Sequence, residues 1–240
     1  MASDNYFYWR NEMEAELRYL TEPSQVMAVV EQQTAKLGFD FYSLYIRHPV
    51  PFTRPKMFIK SNYPKKWLKT YQKERFERID PVIVYCQMPG KQLLWNDEIA
   101  REGSRVFDAA KEYGICSGFS CSSMAKNRAI GILSMASGKS FEKIALKQET
   151  QLKMQHLVVL MLEALQRVKD ISMTVVDMEL SPRELEILQW TAEGKTSAET
   201  ALILSISENT VNFHQKNMQK RFNAPNRTQL AAYAAAIGLL

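Results

Sequence analysis

From residue 180 onward, apolar positions recur three and four apart and are interrupted at short intervals by polar caps, a pattern that predicts four short helices. Ser181-Pro182-Arg183-Glu184 is a capping box with proline at the first helical position, and Leu185, Leu188 and Ala192 line one face of the helix it opens. Gly194 suits a left-handed stop. Thr196-Ser197-Ala198-Glu199 repeats the box and opens a second helix through Leu204. After the Ser205-Ile206 turn, Ser207 caps a third helix that runs to Phe222 and is ended by Asn223 and Pro225. Asn226-Arg227-Thr228-Gln229 starts the fourth, closed by Gly238. Helix, short turn, longer helix is the order of a helix-turn-helix.

Upstream, helical and alternating periods are mixed. Phe7–Leu20 and Ser24–Leu37 read as helices, Phe41–Arg47 and Met57–Ser61 as strands around the proline-containing turn His48–Pro55, and Pro64 opens a further helix. Gly118–Met124 and Ile130–Ala136 read as strands joined by a short Asn-containing turn. Phe141–Val168 reads as a long helix whose apolar face includes Leu152, Leu157, Leu160, Met161 and Leu165. Strands with helices at both ends predict an α+β domain, a central antiparallel sheet covered by helices. The expected boundaries are 1–168 for this domain, 169–179 for a linker, and 180–240 for an all-α helix-turn-helix domain.

The third C-terminal helix indicates what that domain contacts. At about 100° per residue, Val211, His214, Gln215, Met218 and Phe222 fall on one side, with Asn209, Asn212, Phe213, Lys216, Gln219 and Lys220 opposite. The second group is an amide-and-lysine face with one aromatic and no acid. Solvation is the ordinary use of such a face, but the ordered capping signals favour double-stranded DNA, because Asn and Gln bond adenine edges and Lys reaches guanine or phosphate. Asn212 and Lys216 sit near the centre and are expected at base edges. Thr210 and Lys220, with Lys195 and Thr196 from the start of the second helix, are expected nearer phosphates, and His214 joins them if its ring turns outward.

Charge adds a constraint. The chain is +5 overall, yet residues 175–240 hold six Lys and Arg against seven Asp and Glu. The signs are segregated: residues 177–208 carry two basic and seven acidic side chains, and residues 209–240 carry four basic and none acidic. One such copy should bind DNA weakly, which argues for a homodimer on a palindromic site. The apolar face of Phe141–Val168, more than one flank of a modest domain needs, is the expected dimer contact.

Composition narrows the rest. No run approaches bilayer length and the N-terminus lacks an apolar signal segment, so a cytoplasmic protein without membrane contact is expected. Cys86, Cys116 and Cys121 have neither paired nor metal-ligand spacing, and three scattered histidines make a zinc or triad site improbable. No metal, cofactor or enzymatic activity is therefore expected. A hydrolase built on Ser43 with His48, or on Cys121, lacks any motif orienting a base beside the nucleophile. Tyr63, Trp67 and Tyr71 form an aromatic stripe at i, i+4 and i+8, and Asp80 stands in the apolar run Ile79-Asp80-Pro81-Val82-Ile83. Alone, the first is ordinary core and the second an ordinary turn residue before proline. Together they suggest an apolar cavity where indole N–H, phenol O–H and carboxylate converge on an uncharged amphiphile carrying carbonyls and one N–H.

At this point a family resemblance is evident. Leu180-Ser181-Pro182-Arg183-Glu184, Trp190-Thr191-Ala192-Glu193-Gly194-Lys195, Ser207-Glu208-Asn209-Thr210-Val211 and His214-Gln215-Lys216-Asn217 resemble the DNA-binding domain of LuxR-type transcription regulators. Trp67, Tyr71, Asp80-Pro81, Trp95 and Gly118 resemble the autoinducer-binding signature of the same family. The resemblance implies quorum sensing: an α-β-α sandwich binding an N-acyl-homoserine lactone, with Trp67 donating to the lactone carbonyl, Asp80 accepting from the amide N–H and Tyr63 donating to the amide carbonyl. It places Ser43 nearby and Ser134 on the other side, with Ile59, Tyr71, Phe76, Val82, Trp95, Phe107 and Ile115 as acyl-chain and lid contacts. Another small amphiphile, such as a monoacylglycerol, suits the same chemistry. The chain departs from the pattern in two places. Gly118-Phe119-Ser120-Cys121-Ser122 replaces the common Gly-x-Thr-x-Pro, so chain-length preference does not carry over. Thr200 replaces isoleucine, and its hydroxyl is expected to face solvent or bond back to a carbonyl.

Overall fold

The computed structural model describes residues 5–139, 147–174 and 179–240, which divide into two compact units. In the first, α1 (Tyr6–Arg18) and α2 (Pro23–Lys36) precede β1 (Phe41–Arg47) and β2 (Met57–Ser61). Then come α3 (Lys65–Lys73), α4 (Pro81–Tyr85), β3 (Gln92–Leu94), α5 (Asp97–Glu102), α6 (Ser104–Lys111), β4 (Ser117–Met124), β5 (Ile130–Ser137), α7 (Gln148–Arg167) and α8 (Ile171–Thr174). The second contains α9 (Pro182–Ala192), α10 (Ser197–Leu204), α11 (Glu208–Phe222) and α12 (Arg227–Ala236), together with the loops 48–56 and 126–129.

The sheet is antiparallel throughout, in the order β2-β1-β5-β4-β3. The expected strands are all present. β3 and α4 to α6 were not visible in the pattern, because elements of three to eight residues span too few periods to register. Successive residues face opposite sides of a sheet. Ser43 and Tyr45 on β1 therefore share a face with their partners Ser134 and Ile132 on β5, while Leu44 and Leu133 turn to the other.

That other face is closed by α7. A Cβ added at Gly131 would lie 2.6 Å from the Leu162 side chain, so the helix packs directly on strand backbone there. Leu157, Met161 and Leu165 are fully buried, Leu160 is half-buried and only Leu152 of that face is exposed. Much of the apolar face of α7 is thus packed within the chain, on the sheet and against α1 and α2, while Leu152 and part of Leu160 keep open surface. The first turns expected of this helix, residues 141–146, lie outside the described residues. Part of the expected linker is ordered: Asp170 is buried, accepts from Lys60 Nζ at 2.9 Å and from the Ser172 N–H at 2.8 Å, and ties the start of α8 to β2. Against the cost of burial, Ser172 and Lys60 hold its carboxyl below the usual range.

In the second unit the caps fall where expected. Ser181 and Thr196 head α9 and α10 with complete capping boxes, and Ser207 and Asn226 cap α11 and α12. Val211, Met218 and Phe222 face the core with Ile187, Leu188, Leu230 and Ala234. His214, expected in that stripe, is only half-buried at its edge. Gln215 is buried, and its amide donates to Thr191 Oγ1 at 2.9 Å and accepts from Ser197 Oγ at 3.3 Å, tying α9, α10 and α11 together. Thr200 departs from expectation. It is fully buried, and among the described residues its hydroxyl has no hydrogen-bond partner. Packing against α11 fixes that face of α10 inward whatever side chain it carries.

An unpaired buried hydroxyl costs about 1–3 kcal/mol, so Thr200→Val, which keeps the shape, should stabilise the helical unit. Thermal unfolding of a fragment carrying residues 179–240 should show a midpoint raised by about 4–8 °C for each kcal/mol gained. An unchanged or lowered midpoint would mean the hydroxyl is satisfied in solution.

Candidate ligand cavity and nucleic-acid face

The cavity is built from α3 outward. Trp67 and Tyr71, one turn apart, are both buried, with ring centroids 5.6 Å apart edge to face. The opposite wall begins at Asp80, the N-cap of α4, whose Oδ1 accepts from the Val82 N–H at 2.9 Å. Pro81 at the first helical position needs no acceptor, which leaves the second carboxylate oxygen free to accept from Tyr71 Oη–H at 2.8 Å. Between these walls lies a cavity of about 70 Å³. Ser43, Ile59, Tyr63, Trp67, Tyr71, Asp80, Val82, Trp95, Phe107, Ile115 and Ser134 all line it. Phe76 does not: it is buried behind the wall, its ring 5.8 Å from those of both Trp67 and Tyr71. Helical spacing from Tyr71 does not reach it because a left-handed Arg75 and a 3₁₀ turn at Phe76–Arg78 intervene. Tyr45, Leu68, Ile83, Val106, Ala110 and Ile132 complete the lining.

Most of this surface is apolar, so its few polar groups are exposed to a low dielectric. Burial pushes the Asp80 carboxyl above the ordinary carboxylate range, against the lowering effect of the Tyr71 hydroxyl and the Val82 and Ile83 N–H groups. Burial and the nearby Asp80 push both Tyr63 and Tyr71 upward, and Tyr45 to about 12, so all three remain phenols that can donate. Trp67, 4% exposed, lines the cavity beside them, and its indole N–H can only donate. The site therefore offers indole and phenol donors opposite a carboxylate acceptor within reach of an apolar slot.

One polar feature was missed in the sequence. Ser43, Ser134 and Ser120 stand side by side across β1, β5 and β4. The Trp95 indole donates to Ser120 Oγ at 2.9 Å, and Ser120 Oγ lies 2.7 Å from Ser134 Oγ. An indole can only donate, so Ser120 Oγ accepts from Trp95, and the remaining hydroxyl hydrogens and lone pairs of Ser120 and Ser134 are shared between the two and the cavity. Gly118 permits this, since a Cβ there would sit 2.9 Å from the Trp95 ring. The signal was the two-residue alternation from Gly118, which puts Ser120 on the cavity face.

The groups weighed for catalysis are not brought together. Cys121 is fully buried outside the lining, and burial pushes its thiol upward, away from the nucleophilic thiolate. Ser43 lines the cavity, but His48 does not. Among the described residues no cluster of His, Cys, Asp and Glu could hold a metal ion, and no helix is long and apolar enough to cross a membrane.

In the second unit, Asn209, Phe213, Lys216 and Lys220 are exposed on α11, and Asn212, Thr210 and His214 are half-exposed. Phe213 is 62% exposed, with its ring centroid 5.7 Å from that of His214. Asn217, Gln219 and Asn223 join Phe213, Lys216 and Lys220 around a concavity on this face. Thr210 and Thr196 are engaged in caps: Thr210 Oγ1 lies 2.8 Å from Ser207 Oγ, and Thr196 Oγ1 donates to Glu199 at 2.8 Å. Lys195 is half-exposed at the start of the same turn.

An apolar, hydrogen-bonding cavity under an antiparallel sheet and a capped helix-turn-helix with an acid-free outer face define a two-unit sensor–DNA-binding architecture. Residues 22–168 match the autoinducer binding domain, and residues 178–234 match the luxR family of bacterial regulatory proteins. The chain belongs to the LuxR family of quorum-sensing transcription regulators. It is 48% identical to the regulatory protein SdiA of Escherichia coli K12, with the whole of both chains covered. It is 38% identical to the quorum-sensing regulator RhlR of Pseudomonas aeruginosa, again over both whole chains. The structure of E. coli SdiA in complex with octanoyl-rac-glycerol superposes with a TM-score of 0.91, covering 98% of this chain and 96% of that one.

The raised Asp80 carboxyl carries a sign that can be measured. A folded-state value above the unfolded one means that Asp80's contribution is complete below about pH 4 and is lost as pH rises through the folded value. Asp80→Asn removes this loss. The melting temperature of the variant relative to wild type should climb with pH above about 4. A difference that falls over the same interval would show that the fold favours the carboxylate.

Proposed function

We propose that the chain is a cytoplasmic, homodimeric transcription regulator whose sensor cavity binds an N-acyl-homoserine lactone and whose α11 enters the major groove of a palindromic DNA site. It carries no enzymatic activity, metal or cofactor beyond this ligand. The observation that carries the reading is the convergence of Trp67, Tyr63 and Asp80 on one apolar cavity. Trp67 donates to the lactone carbonyl, Tyr63 to the amide carbonyl, and Asp80 accepts from the amide N–H through lone pairs left after Tyr71 and Val82 are served. Ser134, hydrogen-bonded to Ser120, adds a hydroxyl on the strand side, beside Ser43.

A second ligand reading rests on a specific observation. E. coli SdiA has been captured with octanoyl-rac-glycerol in a structure superposing at a TM-score of 0.91. A monoacylglycerol has carbonyl and hydroxyl groups for the same donors, and its hydroxyls can donate to Asp80 as an amide does. The two ligands differ in what they ask of Asp80 and can be compared on one protein.

Calorimetry with N-octanoyl-homoserine lactone tests the head site. Trp67→Phe leaves a ligand carbonyl unpaired, costing about 1–3 kcal/mol, Asp80→Asn keeps the shape but replaces an ionised acceptor with a neutral amide, and each should weaken binding by roughly tenfold or more. Wild-type affinity in both variants would refute the assignment, and binding of monooctanoylglycerol alone would select the second ligand.

On α11, base contacts specify and phosphate contacts position, so two lysines should differ in kind. Lys220→Ala should weaken binding to every duplex and lower the salt slope by about one unit. Lys216→Ala should cost about 1–3 kcal/mol on the cognate site and relax preference at one base pair per half-site. Salt-titrated binding to cognate and scrambled duplexes distinguishes them, and equal losses on both duplexes for Lys216→Ala would make it a phosphate contact.

A further inference from the structure

Phe213 is the one large apolar side chain on the outward face of α11, and 62% of it is exposed. Its only ring contact among the described residues is edge-on to His214. The aliphatic and aromatic residues that α11 needs for folding, Val211, Met218 and Phe222, are buried on the opposite side. Phe213 therefore adds nothing to the core, and in the free protein it holds apolar surface in water on the face that otherwise carries amides and lysines. Asn212 precedes it, and Lys216 follows nearly one turn later. A side chain flanked in this way is within reach of base edges, where the thymine C5-methyl is the apolar group the major groove displays.

We infer that Phe213 is a specificity-determining residue that reads a thymine methyl in each half-site. The inference rests on the proposed placement of α11 in the major groove and adds the chemistry of one base pair to it. One residue along a helix is about 1.5 Å of rise and 100° of turn, so Phe213 addresses a base pair adjoining the one Asn212 meets. An amide at the first and a ring at the second select neighbouring A·T pairs by different means: hydrogen bonds to adenine, and burial of a methyl against an apolar ring. A stripe of phosphate contacts distinguishes neither.

The test uses the full chain and a duplex that it selects from a randomised pool, resynthesised with 2′-deoxyuridine in place of thymidine at each A·T pair in turn. Uracil keeps every hydrogen-bonding group and lacks only the methyl. At one position per half-site, uracil should weaken wild-type binding about fourfold, the worth of one buried methylene-sized group. Phe213→Ala should weaken binding to the thymine duplex and abolish the difference between thymine and uracil at that position. Phe213→Leu should retain part of it. Equal melting temperatures of the three proteins, expected for a side chain outside the core, exclude unfolding as the cause. Thymine and uracil duplexes bound equally by the wild type, or a difference that survives in Phe213→Ala, would overturn the inference while leaving groove binding intact. Failure of the chain to select any sequence would overturn both.

Discussion

The sensor unit is organised around a carboxylate placed where carboxylates are costly. Asp80 starts α4, and its two oxygens take the Val82 N–H and the Tyr71 hydroxyl, joining α4 to α3 across an otherwise apolar space. Burial raises its proton affinity and those hydrogen bonds oppose the rise. A single contact thereby fixes the separation of the two walls, the orientation of the Tyr71 ring and, through the Trp67–Tyr71 packing, the position of the indole. An apolar residue at position 80 would pack the walls together and leave no acceptor; an unbonded acid would tend to protonate. The wall spacing and the acceptor come from the same side chain.

The sheet makes this possible by treating its two faces differently. One is sealed by α7, close enough that any side chain at position 131 would displace Leu162. The other faces a cavity whose remaining walls come from the short segments α3, α4 and α6. Side chains on the sealed face are large and aliphatic, with Leu44, Leu133 and Met135 fully buried. Those on the hollow face alternate hydroxyl and aromatic, as in Ser43, Tyr45 and Ser134. Rigidity on one side supports a cavity on the other, and Ser43 and Ser134 give that cavity hydroxyl groups.

The helical unit follows a related economy with polar groups inside. Gln215 ties three helices through one amide, and Arg221 reaches Glu184 at 2.6 Å, bracing α11 against the first turn of α9. The acid of that pair already serves the capping box, so the acidic residues of the unit are largely occupied at helix starts. The outer side of α11 is left to neutral amides, Lys216, Lys220 and Phe213. Thr200 is the exception, a buried hydroxyl in a position shaped for an apolar side chain.

The sequence alone determined the elements whose signals are local. Capping boxes at Ser181 and Thr196 set the helix starts in the second unit, and alternation set β1, β2, β4 and β5, because caps and periods are written within a few adjacent residues. The aromatic stripe and Asp80 together pointed to a cavity, while the family resemblance added Trp95 and assigned each side chain its part, which periodicity could not have done. Tertiary structure decided what depends on juxtaposition. It set Phe76 behind the wall and Ser120 beside Ser134. It packed Leu157, Met161 and Leu165 of the α7 face inside the chain, placed His214 at an edge, and enclosed the Thr200 hydroxyl. In each case the outcome was set by a neighbour distant in the chain: a helix wheel shows which residues share a face, but not what lies against that face or how closely it approaches.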